Sequence, residues 1–380
     1  MNIHSKLPQT KTSIFAVMSK LANQHNATNL SQGFPDFKVS RELVDLIHYY
    51  MLKDKNQYAP MPGVLELRKS IQKKIKKLYQ KNIEIEKEIT ITAGATQALF
   101  TAITAFVQKG DEVIIFEPAY DSYDPAIQLN GGITKYLSLS APDFKIDWNI
   151  VKDNITNKTK LIIINTPNNP GGYIFTKDDM QRLNEITRNT NIIVISDEVY
   201  EHIIFDQLTH QSILKFDELY QRSIAVYSFG KTFHATGWKI GYVIGPEILI
   251  NEFKKVHQFN VFSVNTPIQY ALADYLKDEQ NYLNLPFFYQ KKRDYFVEKI
   301  KNSRFKIIPT HGTYFQLLDY SNISTMNEFD FAIWLTKEKG VASIPVSSFY
   351  HNQRNQQLLR FAFPKEENTL DKAAEILNKI

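Results

Sequence analysis

Cysteine is missing from all 380 residues. That excludes disulfides, thiolate metal sites and cysteine nucleophiles together, and no metal site is expected. No apolar run approaches the length of a membrane-spanning helix. The opening, MNIHSKLPQTKTSIFAVMSK, lacks the continuous apolar stretch of a secretory signal, so a soluble, cytoplasmic protein without a membrane partner is expected. A dominant charge is also absent, because 45 basic and 40 acidic residues leave only +5 along the chain. The densest basic run, Lys69 to Lys81, reads as the solvated face of a Lys-rich helix. Nothing beside it resembles a base-reading motif, so no nucleic-acid partner is expected. Internal repeats and low-complexity linkers are absent.

What is present is ordinary globular composition, 43% hydrophobic and 22% charged, in a chain longer than one hydrophobic core usually supports. Two domains, or one large domain with an appended smaller one, are therefore expected. The 20 Tyr and 25 Phe bring much apolar area per residue, which suits an oligomer. From about residue 88, short β-branched runs alternate with helical patterns. The strand candidates are Glu88–Thr92, Glu112–Phe116, Lys160–Asn165, Asn191–Ser196, Ser223–Ser228 and Gly241–Gly245. This predicts an α/β fold with a mostly parallel central sheet and helices on both faces. After about residue 280 come a Lys-rich helix through Lys301, short strands at Phe305–Pro309, Thr313–Leu318, Val341–Ile344 and Leu358–Phe363, a helix near Asn327–Lys339 and a final helix. They read as a smaller α+β domain. The expected division is a large domain over 41–280 and a small one made from 1–40 together with 281–380.

In such sheets chemistry collects just beyond the carboxyl ends of the strands. ITAGATQAL runs from strand to helix at Gly94, so N–H groups of Ala95 and Thr96 would face an anion, although an ordinary N-capped turn accounts for the same string. NTPNNPGG, from Asn165 to Gly172, is a shaped loop that places Asn169 at the sheet edge, or simply a turn. IIVISDEVYEH delivers Asp197 and Tyr200 at the end of a buried strand; Asp197 is either a partnered buried carboxylate or a helix N-cap. AVYSFGKTFHATGWKIGY sets Lys231 among Gly230, Thr232 and Phe233, surroundings that desolvate an amine and lower its pKa. The chain has only nine arginines, and LLRFAF plants Arg360 inside an apolar strand, where a two-pronged carboxylate contact or a structural ion pair would explain it.

In this order and spacing the segments resemble the class I/II, fold-type I aminotransferases, from about Leu30 to the C-terminus. LSQGFPDF, NQYAPMPG, NTPNNPGG, SDEVYEH and SFGKTFHATGWKIGY look most like the branch of methionine aminotransferases and kynurenine or glutamine transaminases. The resemblance implies pyridoxal 5'-phosphate as cofactor, carried by Lys231 as a Schiff base, with Lys231 also moving the substrate's α-proton. It implies that Asp197 pairs with the pyridine nitrogen, that Tyr200 and Asn169 bond the cofactor's 3' oxygen, and that Tyr120 stacks on the ring. Ala95, Thr96, Ser228 and Lys239 match the phosphate positions, and Tyr58 matches a tyrosine supplied by a second subunit of a homodimer. Many relatives have arginine where Lys239 stands. Arg360, the Gly33 backbone and Asn169 would grip the substrate carboxylate.

The implied reaction is ping-pong transfer of an amino group from an amino acid to a 2-oxo acid. No second arginine stands out for a side-chain carboxylate, so a neutral or aromatic donor meeting Phe15 and Tyr120 is expected (methionine, Phe, Tyr, Gln or kynurenine). A β-lyase acting on cysteine conjugates or cystathionine would use the same residues. A regulatory protein on the same fold would keep the body without turnover.

Overall fold

Alternate residues of the apolar runs enter two different cores, which is why the runs lack polar alternation. A computed structural model describes residues 1, 3–8, 10 and 12–380. After a first helix, Ile14–Gln24, come β1 (Thr28–Asn29), β2 (Ile89–Thr92), β3 (Glu112–Glu117), β4 (Ile133–Ser138), β5 (Thr159–Asn165), β6 (Ile193–Asp197), β7 (Ser223–Ser228) and β8 (Gly241–Ile244). Strands β2 to β8 form one sheet in the order β2-β8-β7-β6-β5-β3-β4. β8 is antiparallel to both its neighbours, and every other pairing is parallel. Six carboxyl ends therefore meet at one edge.

Val113, Ile115, Leu161, Ile163, Ile195, Ile224 and Val226 face helices Gly94–Phe106, Tyr123–Leu129 and Glu247–Asn260. Ile114, Phe116, Ile162, Ile164, Val194, Ala225 and Tyr227 face the opposite core, with helices Leu65–Tyr79 and Lys177–Thr187. β4 has no counterpart among the strands read from the sequence. It lies at the sheet's end, paired on one side only and half exposed, so ITKYLS lacks the apolar continuity of the inner strands.

The C-terminal part holds a second sheet of β9 (Lys306–Ile307), β10 (Phe315–Asp319), β12 (Ile344–Pro345) and β13 (Leu358–Ala362), all antiparallel, in the order β12-β13-β10-β9. The expected strand Val341–Ile344 is divided at the buried Ser343. Its first half, β11 (Val341–Ala342), pairs in parallel with β1, while β12 pairs with β13. The first forty residues are thereby tied to the C-terminal part. No described helix is long and apolar enough to cross a membrane.

The Lys-rich helix Leu65–Tyr79 departs from the expected solvated face at one position. Lys69, Lys73, Lys76 and Lys77 are exposed, but Lys74 turns inward. Its side chain is 2% exposed and pairs with Glu201, at 3%. Tyr79 donates to Glu201 Oε2 at 2.5 Å, and Lys74 donates to the Tyr242 hydroxyl at 2.9 Å. Burial alone would raise the Glu201 carboxyl; the Lys74 charge overrides it and holds the group at about 2. A depressed carboxylate adds stability above its ordinary titration range and loses it as pH falls toward 2. We expect Lys74→Met to cost about 3–5 kcal/mol at pH 7 in urea unfolding, because it strands a buried charge. Adding Glu201→Gln should recover much of that loss, and a double mutant no more stable than K74M would contradict the pairing.

Candidate active site

A cavity of about 450 Å³ opens at the carboxyl edge of the large sheet. Each nearby strand delivers residues to it immediately after it ends: Ala95 and Thr96 after β2, Tyr120 after β3, Asn169 after β5, Tyr200 after Asp197 of β6, and Lys231 after Ser228 of β7. Lys239 arrives just before β8, which runs the other way. Phe15 and Gly33 come from the N-terminal segment and Arg360 from β13, closing the wall. Of the residues singled out from sequence, Tyr58 alone lies elsewhere; it is 83% exposed, its ring 5.6 Å from that of Phe262.

Lys231 sits in one helical turn, Phe229–Thr232, capped by the Ser228 hydroxyl, which accepts from the Lys231 N–H at 3.3 Å. Tyr314 donates to the Lys231 carbonyl, fixing the backbone from the other side. The amine donates to the Gly33 carbonyl at 2.8 Å. Burial pushes its pKa down to about 8, the Arg360 charge adds to that, and Asp197 opposes it. A useful fraction of the amine is thus unprotonated near neutrality and able to act as nucleophile or base.

Asp197 closes β6 and is 3% exposed. Tyr123 donates to Oδ2 at 2.6 Å and the Val199 N–H to Oδ1 at 3.3 Å. Burial nevertheless pushes the carboxyl up to about 6. The chain turns after Asp197 without entering a helix, so the N-cap alternative has no helix to cap. Tyr123 is a site residue that the sequence reading missed. Its only signal is a second phenol one helical turn beyond Tyr120, in AYDSYDP.

The helix Gly94–Phe106 starts at a glycine with φ +77, a backbone region costly for any residue with a Cβ. Its N-cap is Ala93, which offers no side-chain acceptor to the first turn. The ordinary capped-turn alternative therefore fails. The Thr96 hydroxyl is 3.4 Å from that of Tyr120, and Ser228 and Lys239 line the same wall. A Cβ on Gly241 would meet the Tyr227 carbonyl at 2.4 Å and the Ala95 nitrogen at 3.3 Å, so only glycine lets the strand pass this close. An uncapped helix start beside an ammonium is chemically fitted to a phosphate.

Arg360 is 1% exposed. It donates to Asn169 Oδ1 at 2.8 Å and to the Ser31 carbonyl at 2.9 Å, while Nε is buried without a partner. Its guanidinium lies 3.8 Å from the centre of the Phe315 ring. It makes no ion pair among the described residues, so the structural-pair alternative gains no support. Burial pushes the guanidinium down to about 10, which leaves it cationic at neutral pH. Phe315 was also missed from sequence, because its TYFQLL context reads as plain strand core.

The family model for aminotransferase class I and II matches residues 25–377. Methionine aminotransferase of Escherichia coli is 49% identical over 377 residues, covering 99% of this chain and 98% of its own. Human kynurenine–oxoglutarate transaminase 3 is 34% identical, covering 96% of this chain and 87% of its own. An Escherichia coli crystal structure described as identifying a methionine aminotransferase function superposes with TM-score 0.98 at 49% identity, covering both chains completely. With its cavity, lysine and carboxylate at the edge where the fold collects them, this chain belongs to the class I and II aminotransferases, enzymes that move amino groups with pyridoxal phosphate.

Proposed function

We propose that the chain moves the amino group of methionine, or of a similar neutral or aromatic amino acid, to a 2-oxo acid in a ping-pong sequence. The observation that carries this reading is the cavity wall: Arg360 is its one arginine among the described residues, and Phe15, Phe34, Leu99, Val199, Ile240 and Phe315 are its large apolar side chains. One carboxylate is therefore matched by a fork of donors, and a second is not. The 49%-identical relative named for methionine points the same way.

The residues present fit pyridoxal phosphate, as the uncapped helix start and the buried carboxylate indicate. When bound, the cofactor supplies an electron-poor ring that takes up the electron pair left at the substrate α-carbon. In this reading the Ala95 and Thr96 N–H groups, the Thr96 and Ser228 hydroxyls and the Lys239 ammonium hold the phosphate. Asp197, oriented by Tyr123, would pair with the ring nitrogen. Tyr120 would stack on the ring, and Asn169 and Tyr200 would bond its 3' oxygen. Lys231 would hold the cofactor, and its amine would take and return the proton at the substrate α-carbon. Arg360, steadied by Asn169, orients the carboxylate with help from the Gly33 backbone, which is the entropic part of the rate enhancement.

We further propose a homodimer in which Tyr58 reaches the partner's cavity. Support comes from exposed aromatic area: Phe262, whose ring lies beside that of Tyr58, is 46% exposed, and Phe259 and Phe100 are 87% and 36% exposed. The proposed division into a large lobe over 41–280 and a small lobe of 1–40 with 281–380 is supported by the separate sheets and by the β1–β11 pairing.

A transamination panel checks the substrate reading: methionine, phenylalanine and kynurenine should outrun aspartate in kcat/KM, and the reverse order would refute it. Arg360→Lys should raise KM for the donor on the order of 10–100-fold, since an ammonium cannot make the planar two-pronged contact. Steady-state kinetics would show this. A third expectation follows from Asp197. A carboxyl raised to about 6 weakens the folded state above that pH and leaves it unaffected below its ordinary value. Asp197→Asn should thus stabilise the cofactor-free chain by roughly 1–3 kcal/mol at pH 7 and little at pH 4, while loosening the cofactor's grip. Thermal unfolding at the two pH values measures the first effect and cofactor titration the second.

A further inference from the structure

Three carbonyls within one short stretch of the N-terminal segment are each held by a different cation. Arg360 donates to Ser31 at 2.9 Å, Lys231 to Gly33 at 2.8 Å, and Lys365 to Phe34 at 2.8 Å. The first two cations have tasks in the reaction proposed above. Lys365 has none, yet it is 3% exposed. Among the described residues its ammonium makes one hydrogen bond, to the Phe34 carbonyl, and no ion pair; its Nζ also lies 5.1 Å from the centre of the Phe34 ring. An ammonium has three donors and is costly to bury so sparsely partnered. Burial lowers its pKa and nearby Asp36 opposes that shift.

The place it holds matters. A Cβ on Gly33 would stand 2.7 Å from Phe315 Cζ, so at Gly33 the stretch lies directly on the Phe315 ring. The other side of that relation is the Arg360 guanidinium, 3.8 Å from the centre of the same ring. The stretch is also tied on its exposed side: Asp36 accepts from the Glu366 N–H at 2.6 Å and from the Thr369 hydroxyl at 2.8 Å. When the Lys231 amine is engaged elsewhere, the Gly33 carbonyl loses its donor. Lys365 is then the cation that keeps the stretch in place without itself meeting substrate.

We propose that Lys365 is a positioning residue for carboxylate recognition: by holding the Phe34 carbonyl it keeps Ser31 to Phe34 pressed on the Phe315 ring, and so sets the plane of the Arg360 clamp. This rests on the reading of Arg360 as that clamp. The probe is 4-(methylthio)butanoate, which has the methionine side chain and carboxylate but no amino group to react. Its Kd is measured by calorimetry on the full-length, cofactor-loaded protein, alongside the donor's KM and kcat. Lys365→Met should raise Kd and KM on the order of 10-fold, the scale of losing a hydrogen bond to a charged group, with a smaller change in kcat and an unaltered cofactor absorbance. Lys365→Arg, which keeps the charge and a donor, should restore both constants to within about threefold. Unchanged Kd in K365M overturns the proposal, and so does an equal loss in K365M and K365R, the mark of a packing defect. If K365M fails to fold, Asp36→Ala releases the same stretch from its exposed side; a few-fold rise in Kd supports the proposal and wild-type affinity overturns it. A wild-type protein that transaminates methionine but does not bind the probe overturns the Arg360 clamp along with it, whereas one that binds the probe but transaminates nothing removes only the proposed reaction.

Discussion

The arrangement depends on charge taken out of water at one edge of a sheet. Lys231, Asp197 and Arg360 are each drawn away from their ordinary titration range by burial, and each is held by neutral hydrogen-bond partners rather than by a compensating ion within bonding distance. That is an unfavourable state for an isolated chain and a useful one for an enzyme, since unpaired charges in a low-dielectric cleft bind complementary charges strongly. The rest of the fold supplies what makes the state tolerable: two packed cores on either side of the sheet, and loops that hydrogen-bond one another at the strand ends.

Those loops show the principle in detail. Asn165, the last residue of β5, donates its amide to the Asp197 carbonyl at 3.0 Å and accepts from the Asn169 N–H at 2.8 Å, so two neighbouring strand ends and the arginine-holding asparagine share one network. Beneath them Glu198 is fully buried; it accepts from Ser196, Tyr227 and the Ile213 N–H and lies 2.9 Å from His210 Nε2. Adjacent carboxylates thus receive different treatment. Glu198 accepts from four groups and Asp197 from two, which leaves Asp197 the capacity for the further partner proposed for it.

The cavity joins pieces far apart in sequence, and the joints are mostly backbone carbonyls. Arg360, Lys231 and Lys365 all close on Ser31 to Phe34, and β1 pairs with β11, so the N-terminal stretch belongs to both the wall and the C-terminal sheet. Contacts of this kind leave no trace in residue identity, because every residue carries a carbonyl.

Much of the molecule was legible beforehand for physical reasons that can be named. The inner strands are buried on both faces and so are apolar throughout, which exposes them to reading; β4, at the edge and half wet, is not. Lysine and aspartate at the ends of apolar runs, and arginine within one, stand out because burying them is expensive, and the structure brings Lys231, Asp197 and Arg360 to one cavity. Lys74 escaped because a charge on an amphipathic helix is solvated by default, and only the partner across the packing interface, Glu201, draws it inward. Tyr123, Phe315 and Lys365 escaped for the same reason: each acts through a neighbour that only folding supplies. By itself the sequence determined the layers, the edge where chemistry collects and the residue types placed there, since periodicity and the cost of buried charge are local properties. The tertiary structure alone decided which carboxylate is left a free valence, how the guanidinium is aimed and what holds the N-terminal stretch over it, because those depend on distances between segments that the chain's order does not encode.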